Sequence, residues 1–176
     1  MSAYQWTEDF RSVYEKAIAA YREGAREAEA IFDEKDKAFL ASIGHTAQEV
    51  YDFAEDAVKY GEPDFATAAL IAAARRDYFL FVQQGRPAQE LRTMEDFPAK
   101  EAAIHGIAWL PRLIEKARAK LRGEMPKDLM YGCGGDRRFL KEHDLHPADF
   151  LRYVWSAGED AQKIVAYVEH RRLVSA

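Results

Sequence analysis

The stretch FATAALIAAARRDYFLFVQQ, residues 65–84, carries the most sustained apolar run in the chain. Asp64 stands before it as an N-cap, and Gly85 closes it. A helix that is apolar nearly all round is buried at the centre of a bundle rather than laid on its surface. Its strongly apolar part, Phe65 to Ala74, is too short to cross a bilayer. The neighbouring segments carry helical periodicity as well. Phe10, Val13, Tyr14, Ala17, Ile18 and Tyr21 recur at steps of three and four, behind Thr7 as N-cap and with Glu8 and Asp9 in the first turn. Gly24 ends or weakens that helix. Phe39, Leu40 and Ile43 form a short apolar group before the terminator Gly44. Thr46 and Glu49 have capping-box spacing and open a helix whose inner face is Val50, Phe53, Ala54, Ala57 and Val58. Gly61 and Pro63 end it.

Beyond residue 85 the pieces shorten. Residues 85–98 contain Pro87 and Pro98 and read as a connector with one helical turn. Ala99 to His105 is expected as a helix stopped at Gly106. Pro111 suits the first turn of the next helix, with Leu110, Leu113, Ile114, Ala117 and Leu121 as its apolar stripe and Gly123 as its end. Residues 124–135 are expected as a loop, and Asp136 to Glu142 as a short helix. Pro147 opens another helix, with Phe150, Leu151, Val154 and Trp155 inside. Gly158 separates it from a last one carrying Ile164, Val165, Tyr167 and Val168. No alternating strand pattern stands out. The expected fold is all-α: a single-domain helical bundle of about eight helices over residues 1–176, divisible into lobes 1–86 and 98–176.

The composition fits a folded domain. Of 176 residues, 48% are hydrophobic and 31% charged, enough for a core and a wet surface. A net charge of −5 argues against nucleic acid as partner. One cysteine excludes an internal disulfide. The opening MSAYQWTEDF has no basic region followed by an apolar stretch, so no signal peptide is expected. A cytoplasmic protein without membrane contact is the expectation. The half up to Leu80 sums to −7 and the rest to +2. That asymmetry suits two halves that pack together, or a basic face meeting the acidic half of a second copy.

The segment Trp109-Leu110-Pro111-Arg112-Leu113-Ile114-Glu115-Lys116-Ala117-Arg118-Ala119-Lys120-Leu121 resembles the signature of a bacterial family known only as a domain of unknown function, number five thousand and sixty-nine. Cys133-Gly134-Gly135-Asp136-Arg137-Arg138-Phe139-Leu140 is similar to that family's second motif. The terminal helices from His146 to about Val168 fit its tail. The resemblance covers about residues 105–170 and implies a bacterial cytoplasmic setting. It brings no activity and no cofactor with it.

Four constellations carry chemistry. The first is the loop Tyr131, Gly132, Cys133, Gly134, Gly135, Asp136, Arg137 and Arg138. Glycines admit close backbone approach, a helix N-terminus attracts anions, and two arginines add bidentate donors. The leading expectation is a small phosphate or carboxylate ligand held here, in a cleft between the halves. Cys133 lines the pocket, with thiol chemistry as a further option. The plain structural alternative is a tight turn, with Asp136 as a cap and the arginines paired to surface acids. The second is Arg75-Arg76-Asp77, expected to pair with the acidic face Glu49, Asp52 and Asp56 of the preceding helix. An anionic-substrate pocket is the alternative there. The third is a metal-dependent enzyme using His143 and His146 with Asp144 or Asp149, or Glu101 with His105. The two Glu-x-x-His pairs of a di-iron bundle are not found. The fourth is the basic face Arg112, Lys116 and Lys120, with Arg118 and Arg122, expected as a solvated surface. A non-catalytic interaction or dimerising module is the competing function, and whether the protein is an enzyme is left open by the residues alone.

Overall fold

The computed structural model describes residues 4–174, and the chain divides into two compact units, residues 1–87 and 88–176. The fold is all-α: among the described residues there are nine helices, eight of them with seven or more residues, and 65% of the structure is helical.

Among the described residues of the first unit the only regular secondary structure is helical. Helix α1 (Trp6–Arg22) buries Phe10, Val13, Tyr14, Ala17 and Tyr21 and packs mainly on α4 (Ala47–Tyr60). It starts two residues earlier than expected, with Gln5 rather than Thr7 in the N-cap position. It stops at Arg22, just before Gly24 at φ 108°, and the single turn α2 (Ala28–Ile31) follows. Helix α3 (Glu34–Ser42) follows, opened by a capping box in which Asp33 accepts from the Asp36 backbone and Asp36 accepts from that of Asp33. The Thr46–Glu49 capping box and the left-handed Gly61 cap delimit α4 as the sequence implies. Asp64 caps α5 (Phe65–Asp77) by accepting from Thr67 N at 2.8 Å, and a π-helical turn (Tyr78–Val82) continues it.

Arg75 is buried in this helix. Its Nη1 donates to Gln83 Oε1 at 2.6 Å, and its guanidinium lies 5.3 Å above the Phe79 ring. Arg76 lies over Trp6 and contacts Asp77. His45, buried, links the start of α4 to α5, with Nδ1 3.0 Å from Glu49 Oε2 and Nε2 3.3 Å from the Ala72 carbonyl.

The second unit begins with an irregular connector containing one 3₁₀ turn (Met94–Asp96). The expected helix over 99–105 is not formed. A two-stranded antiparallel hairpin stands in its place, β1 (Ala103–Ile104) paired with β2 (Ile107–Ala108). His105 and Gly106 form its two-residue turn with φ of 49° and 77°. Two consecutive positive φ values match the right-handed twist of paired strands, which is why a short hairpin wins over a helix that Gly106 would interrupt.

Four helices follow: α6 (Leu110–Arg122), α7 (Gly134–Glu142), α8 (Pro147–Ala157) and α9 (Ala161–Val174). Helix α6 carries the expected stripe and packs mainly against α8. Leu110, Leu113, Ala117, Phe150, Leu151, Val154 and Ile164 make this unit's core. Tyr153 of α8 stacks on Tyr167 of α9 with ring centroids 3.9 Å apart. Among the described residues no helix is long and apolar enough to cross a membrane.

Candidate functional site

The chemistry of the second unit gathers where α6 meets the start of α7. Pro111 pre-sets the first turn of α6, and Trp109 precedes it with φ 70° and ψ −30°. A bulky residue at positive φ is strained unless its surroundings fix it. Both ends of Trp109 are fixed. Its backbone N donates to Ala102 O of the hairpin arm at 3.1 Å, and its indole Nε1 donates to Asp136 Oδ1 at 3.0 Å.

Asp136 is the hub. Its carboxylate is fully buried and accepts from Trp109 Nε1, from Gly132 N at 2.8 Å and from Lys116 Nζ in a buried ion pair. Lys116 is itself fully buried, and its Nζ also lies 3.2 Å from Cys133 Sγ. This overturns two expectations. Asp136 does not cap α7; that helix starts two residues earlier, and Cys133 holds the N-cap position with extended backbone and no side-chain cap bond. A carboxylate offered a buried ammonium and two further donors gains more from them than from capping a helix. Nor is Arg112–Lys116–Lys120 a solvated face. All three side chains are buried, with Arg112 Nη1 donating to Pro98 O at 2.7 Å. The outer members are less deeply placed: Arg118, with 12% of its side chain exposed, pairs with Glu115, and the more exposed Arg122 pairs with Glu159.

Gly135 makes the assembly possible. A Cβ there would fall 2.4 Å from Trp109 Cζ2 and 2.6 Å from Cη2, so the indole rests directly on the helix backbone. Tyr131 is buried beneath the loop and donates to Pro147 O at 2.8 Å. Burial, and then the negative charge of Asp136, pushes its hydroxyl well above the usual tyrosine range. Arg137 Nη1 donates to Gly132 O at 2.8 Å, while its Nη2 stands 3.9 Å from where a side chain at 134 would begin. Arg138 is exposed, 4.0 Å from Glu142. Gly134 is exposed and Cys133 half-buried.

The histidines are placed separately. His143 stacks on Phe139 with its Nδ1 2.9 Å from the Phe139 carbonyl, and His146 Nδ1 accepts from Ala148 N at the start of α8. Glu101 lies in a turn, and His105 in the hairpin, 3.6 Å from Glu169. Among the described residues no group of three or more His, Cys, Asp or Glu side chains is arranged to hold a metal. A cleft of about 380 Å³ runs beside His143, lined by Gly106, Ile107, Ala108, Phe139 and Glu142. The 131–138 loop does not line it.

Sequence reasoning singled out the loop but missed Trp109 and Lys116 as its partners. A signal was present: Lys116 stands three residues after Leu113, next to the apolar stripe, where a solvated lysine is out of place.

Residues 97–175 match the family described as Domain of unknown function (DUF5069), so the similarity reaches beyond 105–170 at both ends. It takes in both the Trp109–Lys116 and the Cys133–Asp136 segments that the structure brings together. No curated protein and no solved structure matches the chain.

Proposed function

We propose that the start of α7 binds a small anion, a phosphate or a carboxylate, in a bacterial cytoplasmic protein. The observation that carries this reading is the inward turn of Asp136. With its carboxylate buried on Lys116, the one acid in the loop does not cap the first turn of α7, and Cys133 supplies no side-chain cap. Backbone N–H groups of that turn, the exposed Gly134 and the Arg137 guanidinium then share one place, and Arg138 adds charge beside it.

Thermal melting in inorganic phosphate and in a dicarboxylate, at constant ionic strength, tests the reading. Binding to the folded state alone adds about 2.7 kcal/mol at a hundredfold excess over Kd. The melting temperature is expected to rise for the wild type and not for Arg137→Ala/Arg138→Ala. Arg138→Ala alone, which leaves the Arg137–Gly132 bond in place, is expected to lose part of the rise. Equal shifts in all three chains would reduce the loop to a turn.

A second reading, a dimerising or docking module, is favoured by Phe81, 74% exposed at the end of the α5 extension, with its neighbour Val82 also exposed. Large apolar side chains grouped at a surface mark interaction sites. Sedimentation velocity decides it. A concentration-dependent dimer abolished by Phe81→Ser supports this reading, and a monomer at all concentrations removes it.

A further inference from the structure

We propose that Cys133 and Lys116 form a reversible redox cross-link, a covalent Sγ–Nζ bond made when the thiol is oxidised by a peroxide. Three observations carry it. Cys133 is the single cysteine, so no second thiol of the same chain can resolve its oxidised form. The cysteine is half-buried rather than sealed in the core, and Lys116 Nζ lies 3.2 Å from its sulfur. That nitrogen is held there by a buried partner, Asp136, which is also a proton acceptor in direct contact with it.

The chemistry balances in two steps. Sγ attacks hydrogen peroxide: an S–O bond forms, the O–O bond breaks, and the departing hydroxide takes the thiol proton away as water. Sulfur is oxidised by two electrons to the sulfenic acid and the peroxide is reduced. Lys116 then passes one proton to Asp136, and the freed Nζ lone pair attacks Sγ. The S–N bond forms, the S–O bond breaks, and hydroxide takes a second proton from Nζ and leaves as water. The product is a sulfenamide beside a neutral Asp136 carboxyl, so the ammonium and carboxylate charges vanish together and neither is left unpaired in the interior. A thiol reductant reverses the link by attacking Sγ and returning the amine. The inference does not depend on anion binding.

The test treats the full chain with a small excess of hydrogen peroxide and reads intact mass and tandem mass spectra of its peptides. The expected product is lighter than the reduced chain by two hydrogens, about 2 Da. It contains a peptide pair joined at residues 116 and 133 and reverts in dithiothreitol. Because the fold holds the two atoms together, the yield is expected to be roughly tenfold or more above that of the urea-unfolded chain. Cys133→Ser, which leaves the Lys116–Asp136 pair in place, is expected to show no mass loss. A sulfenic acid that persists to be trapped by dimedone, sulfinic acid without a link, or a disulfide-bonded dimer would each overturn the proposal. So would equal yields from folded and unfolded chains.

Discussion

Replacing Lys116 with methionine is expected to lower stability by about 3–5 kcal/mol, the cost of leaving one partner of a buried ion pair uncompensated. Methionine matches the length of the lysine stem, so little cavity opens and the loss is mainly electrostatic. Asp136 keeps its bonds from Trp109 Nε1 and Gly132 N, but a fully buried carboxylate with two neutral donors and no cation is poorly compensated. The second substitution separates this cause from simple packing. Asp136→Asn removes the orphaned charge yet retains a carbonyl oxygen for one of those donors. Lys116→Met/Asp136→Asn is therefore expected to be more stable than Lys116→Met alone, although each change by itself destabilises. Urea midpoints of the four chains form a double-mutant cycle, and the coupling should exceed about 1 kcal/mol for residues in direct contact. A change below about 0.5 kcal/mol in Lys116→Met would show that the pair is solvated.

Gly135→Ala is expected to cost about 2 kcal/mol, against the direction that helix propensity suggests. Alanine in place of glycine within a helix gains about 1 kcal/mol. Here the new methyl would overlap a rigid indole at 2.4 Å, an overpacking cost of about 1–3 kcal/mol. If the ring moves aside, its hydrogen bond to the Asp136 carboxylate goes too, a further loss of about 1.5–3 kcal/mol. The steric and hydrogen-bonding losses outweigh the propensity gain. Gly134→Ala is the internal control: the exposed neighbouring position meets nothing closer than Arg137 Nη2 at 3.9 Å, so it should be neutral or slightly stabilising. Thermal melts with tryptophan emission would check both. Equal behaviour of the two alanines would mean that Trp109 does not rest on the α7 backbone.

The parts of the fold written in local chemistry were legible from sequence. Thr46 with Glu49, Asp64 and Gly123 mark helix ends through bonds made within a few residues, Pro111 does so through its fixed φ, and each stands where its residue type implies. The hairpin was not legible. It has only two paired positions, and Ala99 to His105 is composed largely of helix formers; His105 and Gly106 were the one turn signal. The Asp33–Asp36 capping box that opens α3 is masked in the sequence by the charged run Asp33–Lys37, in which acids stand at three positions. The site was half legible. Glycines and arginines drew notice to 131–138, but the direction of the Asp136 carboxylate depends on a lysine 20 positions earlier and on a tryptophan further back. A helix face that reads as basic turns inward only when the element covering it brings an acid to the right point, and periodicity holds no record of that.

The Lys116–Asp136 pair also constrains the order in which the second unit can assemble. Neither charge can enter an apolar interior alone without losing several kcal/mol of solvation. Helix α6 therefore cannot seat its inner face before Asp136 arrives, and α7 cannot dock before Lys116 is there to receive it. A nascent chain released only as far as Met130 has α6 complete in sequence but lacks the acid, so its Lys116 stays in water and the core around Leu113 and Ala117 stays open. Closure of α6 and docking of α7 become one event, and that event waits for the translation of residues 131–136.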